Sequence, residues 1–242
     1  MFLNQTTYAT GTSPRSVAIV DVNSDNKPDI IVSNWNSKTV GVLLNNGNGT
    51  FLTQTTYTTG TNPGSVAVVD VNSDNKPDII VTNWNSNNVS VLVNNGSGTF
   101  LTKTTYATGS NPISVAVVDV NSDNKPDIIV ANTYSNTVGV LLNTGSGTFL
   151  TQITYTTGSY PYSVAAVDVN SDNKPDVIVA NAGSNTINVL LNTGSGTFLT
   201  KTTYATATYP ESVAVVDVND DNKPDIIVAN LGSSTVSVLL HC

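Results

Sequence analysis

The segment DVNSDNKPD begins at Asp21, Asp70, Asp119 and Asp168 and returns as DVNDDNKPD at Asp217, so a carboxylate-rich loop recurs five times at a spacing of 49 residues. A period near fifty residues is too long for a coiled coil and falls in the range where one repeat builds a complete small sheet.

One unit, residues 16–64, is rich in Val, Ile and Thr and poor in helix formers, which predicts strands throughout. The apolar runs Ser16–Val20 and Ile30–Val32 flank the acidic loop and read as a buried hairpin. Thr39–Leu44 is a third strand after the polar turn at Asn34–Ser37. The Asn46-Gly47-Asn48-Gly49 turn then leads to a fourth, Thr-rich strand at Phe51–Tyr57. Four antiparallel strands grading from apolar to polar, repeated five times, predict an all-β, five-bladed β-propeller.

The termini suggest how such a ring closes. Phe2–Tyr8 matches the fourth strand, and the last unit stops at its third strand, Val236–Leu240. The N-terminal strand is therefore expected to complete the C-terminal blade. The expected organisation is a single domain, 1–242, with repeats 16–64, 65–113, 114–162, 163–211, and 212–242 plus 1–15. The Phe2, Phe51, Phe100, Phe149, Phe198 series and the Tyr8, Tyr57, Tyr106, Tyr155, Tyr204 series read as packing between blades.

Charge sits almost entirely in the loops: of 17 acidic residues, 15 occupy loop positions 1, 5 and 9, leaving Glu211 and Asp220. The net charge of −8, with five lysines inside the acidic loops, leaves no basic patch for nucleic acid or anionic lipid. The apolar runs are strand-sized, so no membrane insertion is expected. The chain opens at Met1 and Phe2 already in phase with the repeat, without the charged and apolar regions of a secretion signal. Cys242 has no partner cysteine, so no disulfide is expected.

Within the first loop, Asp21, Asn23, Asp25 and Asp29 present side-chain oxygens at positions 1, 3, 5 and 9, with the Lys27 carbonyl at position 7. The corresponding sets are Asp70, Asn72, Asp74, Lys76 and Asp78; Asp119, Asn121, Asp123, Lys125 and Asp127; Asp168, Asn170, Asp172, Lys174 and Asp176; and Asp217, Asn219, Asp221, Lys223 and Asp225. Oxygen donors without His or Cys select a hard cation, so about five Ca2+ ions, one per blade, are the expected cofactors. Three carboxylates in one small loop repel by about 1–4 kcal/mol per pair, which a cation would relieve.

With the loop and the Asn-Gly-x-Gly-Thr-Phe turn (Asn46–Phe51) in place, the repeat resembles the FG-GAP or VCBS repeat of integrin α-subunit propellers and of several secreted lectins and adhesins. The resemblance covers the whole chain and implies a propeller with calcium between the first two strands of each blade. Family propellers often have seven blades, whereas this chain supplies five.

Catalysis is not expected. The single His is His241, and Glu211 and Asp220 fall at opposite ends of one strand, not as the placed carboxylate pair of a glycosidase. Variation among the copies instead lies at the end opposite the acidic loops. One position reads Arg15, Gly64, Ile113, Tyr162, Glu211; another reads Ser13, Asn62, Asn111, Tyr160, Tyr209. In a second turn Trp35 and Trp84 give way to Thr133, Ala182 and Leu231, with Tyr134 beside the third. Arg15, Trp35, Trp84, Tyr134, Tyr160, Tyr162 and Tyr209 are accordingly the candidate rim for a protein or glycan ligand. The expected function is a monomeric, calcium-binding adhesion or binding scaffold. The alternatives are a lectin, or an amplified or designed repeat array without a selected ligand. Weak calcium sites of about 10⁻⁴ to 10⁻³ M typify extracellular modules, which points to an extracellular or cell-surface location.

Overall fold

The structure, a computed structural model, describes residues 4–241. Each repeat begins with an inner strand, β1 (Pro14–Val20), followed by β2 (Asp29–Asn34) and β3 (Thr39–Leu43). A small hairpin of β4 (Asn45–Gly47) and β5 (Thr50–Phe51) precedes the outer strand β6 (Thr55–Thr58). The sheet order is β1-β2-β3-β6, all antiparallel, with Ile31 opposite Ala18 on one side and Val42 on the other. Later repeats follow the same plan, with inner strands at Pro63–Val69, Pro112–Val118, Pro161–Val167 and Pro210–Val216. Among the described residues there are five principal sheets, four of four strands and a last one of three.

The expected fourth strand at Phe51–Tyr57 is divided. Phe51 pairs with Asn45 in the small hairpin, and only Thr55–Thr58 joins the main sheet. The interruption frees Phe51 to point away from its own sheet, where Tyr8 meets it edge to face at 5.4 Å. The same contact recurs as Tyr57–Phe100, Tyr106–Phe149 and Tyr155–Phe198, at 5.2–5.3 Å. The expected packing role thus holds for Tyr8, Tyr57, Tyr106 and Tyr155 with Phe51, Phe100, Phe149 and Phe198, while Phe2 lies outside the described residues.

Strand alternation explains why the sheets stack. In the second strand, Ile31 points toward the following sheet, while Ile79 of the next repeat, the counterpart of Ile30, points back toward the first. Ile31, Val40 and Val42 of the first sheet meet Val66, Ile79, Val81, Leu92 and Phe100 of the second. Three further buried clusters repeat this at the remaining junctions. Polar staples accompany the apolar contact: the Val66 amide donates to Ser16 Oγ at 3.2 Å, and Ser33 Oγ donates to the Gly64 carbonyl at 2.6 Å. Asn83, fully buried at the end of its strand, accepts the Gly60 amide at 2.9 Å, and a Cβ at Gly60 would stand 2.7 Å from Asn83.

Among the described residues, no sheet is shared between the two ends of the chain. The strand Thr235–Leu239 has no outer neighbour, and Asn4–Thr10 forms no strand; the remainder of the expected closing strand, Phe2 and Leu3, lies outside the described residues, as does Cys242. The amino-terminal segment is held against the first sheet instead, where Tyr8 packs on Phe51 and the Gly11 amide donates to Asn34 Oδ1 at 3.0 Å. The facing surfaces of the first and last sheets stay uncovered. Among the described residues, no helix is long and apolar enough to cross a membrane.

Candidate functional site

Each acidic loop is shaped by its own side chains. Asp21 Oδ1 accepts the Asn23 amide at 3.1 Å, and its Oδ2 accepts the Asn26 amide at 2.7 Å. Asn23 Oδ1 accepts from Asp25, and Asp25 Oδ1 accepts from Lys27. These short-range bonds wind the chain through left-handed residues at Ser24 (φ 61°) and Asn26 (φ 62°), and all five loops repeat this pair of turns. Asn at the second of them suits the conformation, since its short polar side chain tolerates positive φ.

The ninth-position aspartate has a further role. Asp29 is fully buried; its Oδ2 accepts the Val22 amide at 2.9 Å and its Oδ1 the Asn45 amide at 2.7 Å. It therefore ties the loop to the Gly-rich hairpin, and these two features share one end of the sheet. Asn94 extends the tie between sheets, donating to Pro77 of its own loop and Val22 of the preceding one. Asn143 and Asn192 do the same. His241 takes this position in the last repeat, its amide on Asp225 Oδ1 at 2.8 Å.

Burial pushes the Asp78 and Asp127 carboxyls up to about 6, with the charges of Asp74 and Asp70, or Asp123 and Asp119, adding to it against the two amide donors. Burial raises Asp29 and Asp176 in the same way. At Asp168 desolvation acts upward, but the amides of Asn173, Asn170 and Asp172 hold the carboxyl below its ordinary value. The loop thus concentrates negative charge beside a carboxyl for which ionisation is already costly.

The donor set of Asp21, Asn23, Asp25 and Asp29 suits a hard cation, being all oxygen. Among the described residues, however, no group of three or more His, Cys, Asp or Glu side chains is gathered to hold a metal ion. Lys27 Nζ lies 3.4 Å from Asp25 Oδ2, a pairing repeated at Lys76, Lys125 and Lys174.

The opposite end carries the variable residues, and the structure brings most of them together. Trp35 and Trp84 stand 6.1 Å apart, Trp84 and Tyr134 5.7 Å, and Tyr134 and Tyr160 5.4 Å, forming one continuous aromatic band across three repeats. The Arg15 guanidinium lies 4.4 Å over the Trp35 ring and donates to the Tyr162 hydroxyl at 2.7 Å. Tyr209 is exposed on the same end but makes no ring contact with the band.

Tyr160 (φ 52°) and Tyr209 (φ 56°) occupy left-handed turn positions held by Ser13, Asn62 and Asn111 in the other copies. That conformation is unfavourable for a bulky side chain. Gly64, Ile113 and Glu211, which are not among the candidate rim residues, also belong to this end. Together with Arg15 and Tyr162 they line one central opening of about 330 Å³, ringed also by Ser65 and Ser114. Their shared repeat position was the available signal. Burial raises the Tyr162 hydroxyl, which sits between the charges of Arg15 and Glu211.

The FG-GAP-like repeat model matches residues 21–81, 70–130, 119–179 and 168–228, and the chain belongs to this repeat family. Comparison with curated proteins finds no match. Among solved structures, an Agrocybe aegerita lectin that recognises non-reducing terminal N-acetylglucosamine is similar over 92% of this chain and 65% of its own, at 21% identity and a TM-score of 0.60. A streptogramin B lyase is 16% identical, with a TM-score of 0.66 over 95% of this chain and 65% of the other. BBS1N in complex with ARL6DN is 13% identical, with a TM-score of 0.65 over 99% and 70%. At these identities the likeness is one of fold, propeller-like and all-β. The chain spans about two thirds of the length of these three structures.

Proposed function

We propose that this protein is a non-catalytic, calcium-binding scaffold of the extracellular space or cell surface, which presents the aromatic end of its sheets to a protein partner. The observation that carries the reading is the unbroken run from Arg15 through Trp35, Trp84 and Tyr134 to Tyr160, on the end away from the acidic loops. Amphipathic rings and arginine are the side chains that dominate binding surfaces. The backbone cost of Tyr at a left-handed position supports selection for the ring rather than for the turn. The lining of the opening is unequal, with Arg15, Gly64, Ile113, Tyr162 and Glu211 each supplied once. Such asymmetry suits one extended partner better than five equivalent small ligands. Glu211 and Asp220 stand at opposite ends of the strand Pro210–Val216, which supports a binding role over carboxylate-pair catalysis.

Calcium in this reading is held by Asp21, Asn23, Asp25 and Asp29 and their counterparts, with the Lys27-type carbonyl, and holds each loop together by neutralising its carboxylates. The all-oxygen donor set and the burial of the ninth aspartate support it. Thermal melts with excess calcium and with EGTA test this part: a higher midpoint in calcium is expected, and an unchanged midpoint overturns it.

A glycan is the second reading, favoured by the exposed rings of Tyr134 and Tyr160. Crosslinking of the calcium-loaded chain in extracellular fluid, beside a glycan array, separates the two. The expected result is one protein crosslinked through the aromatic end, lost in Trp84→Ser/Tyr134→Ser, with no glycan bound. Glycan binding lost in the same variant overturns the protein reading.

A further inference from the structure

The two end sheets each display half of a contact that the four internal junctions bury. Val17 is 61% exposed, whereas Val66, its counterpart one repeat later, is 8% exposed against the back of the first sheet. At the other end, Val236 and Val238 are 64% and 52% exposed, while their counterparts Val40 and Val42 are buried at 0% and 1%. Val218 is 51% exposed and Val22 2%. The near face of the first sheet and the far face of the last are therefore the two sides of one interface, separated.

Two further gaps lie along the same seam. Tyr57, Tyr106 and Tyr155 each meet the phenylalanine of the following small hairpin, but at Tyr204 there is a groove of about 410 Å³, lined by Val189, Leu191, Ile226 and Leu239. Among the described residues the strand Thr235–Leu239 also has no outer neighbour, where each earlier sheet carries a Thr-Tyr outer strand. The segment Thr6-Thr7-Tyr8 has that outer-strand sequence and forms no strand. What would pair the edge and cover the face is found, in one continuous stretch and at the repeat spacing, in Thr6–Tyr8 and the first sheet of this chain.

We propose that a second copy of this chain docks its amino-terminal segment and first sheet onto the far face of the fifth sheet, so that copies associate head to tail. The occupant is specified by the internal junctions. Val17 and Ile19 of one copy take the places that Val66 and Val68 take in the four-fold repeated contact, against Val236 and Val238 of the other. The Thr6–Tyr8 stretch adds an outer strand by main-chain pairing to the open edge. Such a contact joins two different surfaces, so it continues from copy to copy and closes into a ring only if the rotation permits.

Sedimentation equilibrium of the full chain tests the proposal, with Val17→Asp on the near face and Val238→Asp on the far face. Both side chains are exposed in the single copy, and circular dichroism establishes that each variant keeps its fold. The wild-type mass is expected to rise with concentration above the 25.3 kDa of one copy, and each variant alone to stay at that value. An equimolar mixture of the two variants retains one good near face and one good far face, so it is expected to reach twice that mass and no more. A wild-type chain that stays at one copy at every concentration, with the amides of Val236 and Val238 protected from exchange, overturns the proposal in favour of closure within the chain. Variants that still associate singly, or a mixture that stays monomeric, overturn it by showing that these two faces do not meet.

Discussion

Arg15 and Tyr162 are 147 residues apart, and the guanidinium donates to the phenol oxygen at 2.7 Å across the central opening. Three repeats separate them, yet both occupy the same repeat position, together with Gly64, Ile113 and Glu211. The residue that differs most between copies is thus the one that all copies direct to a single place. Arg15 also covers Trp35, so it joins the opening to the aromatic band.

Removing the guanidinium should loosen that join without unfolding the sheets. Arg15→Ala is expected to change stability by less than about 1 kcal/mol, the scale of an exposed cation–π contact. Trp35 emission should shift as its ring gains solvent, and crosslinking of the proposed partner should fall. Fluorescence spectra and a urea melt check both outcomes.

Two aspartates of one loop should behave in opposite ways. Asp78→Ala orphans the buried amides of Val71 and Asn94, which accompany it at 3.0 and 2.8 Å, and is expected to cost about 2–5 kcal/mol with or without calcium. Asp74→Ala removes an exposed carboxylate paired with Lys76 and is expected to cost under about 1 kcal/mol in chelator. Its effect should show in excess calcium, as a smaller stabilisation by the metal. Urea unfolding in both conditions separates the two.

The raised carboxyls predict an unusual pH dependence for the metal-free protein. An acid whose folded pKa exceeds its unfolded value holds its proton more tightly when folded, so its contribution is full below the unfolded value and is lost as pH rises through the folded one. Asp78 and Asp127 move from 3.8 to about 6. Between about pH 4 and 6 the melting temperature in EGTA should therefore fall as pH rises, and calcium should flatten or reverse the slope by competing with the proton. Melts across that window measure it.

The hairpin phenylalanine should be worth more than its small strand suggests. Phe149 is buried against Tyr106 and the cluster of Ile80, Val91, Ile128 and Leu141. Phe149→Ala is expected to cost about 3–5 kcal/mol, as for aromatic truncation in a core. Leu150→Ala, at the adjacent exposed position, should cost under about 0.5 kcal/mol. Denaturant midpoints of the two variants test the contrast.

Much of one repeat is legible locally. The apolar runs before and after Asp21–Asp29 place two strands and a loop, and the Asn-Gly pairs place the next turn, because these signals act over a few residues. The break between Phe51 and Thr55 is not legible this way. Phe51 and Tyr57 both suit a continuous strand, and the interruption follows from Phe51 packing on a tyrosine 43 residues earlier. The loop aspartates read alike as cation donors, yet Asp29 alone is fully buried among them, accepting one amide from the loop and one from the hairpin 16 residues on.

The sequence by itself determined the repeat, its strands, the composition of its loops and the list of residues that vary, since each depends on local spacing and residue type. Only the tertiary structure decided that the variable residues converge on one opening and one aromatic band, because equivalent positions meet only once the sheets turn about a common centre. It alone decided, too, which valines of the first and last sheets are exposed. Val17 and Val66, or Val40 and Val236, are chemically the same residue in the same pattern, and their burial depends on whether a neighbouring sheet is there to cover them.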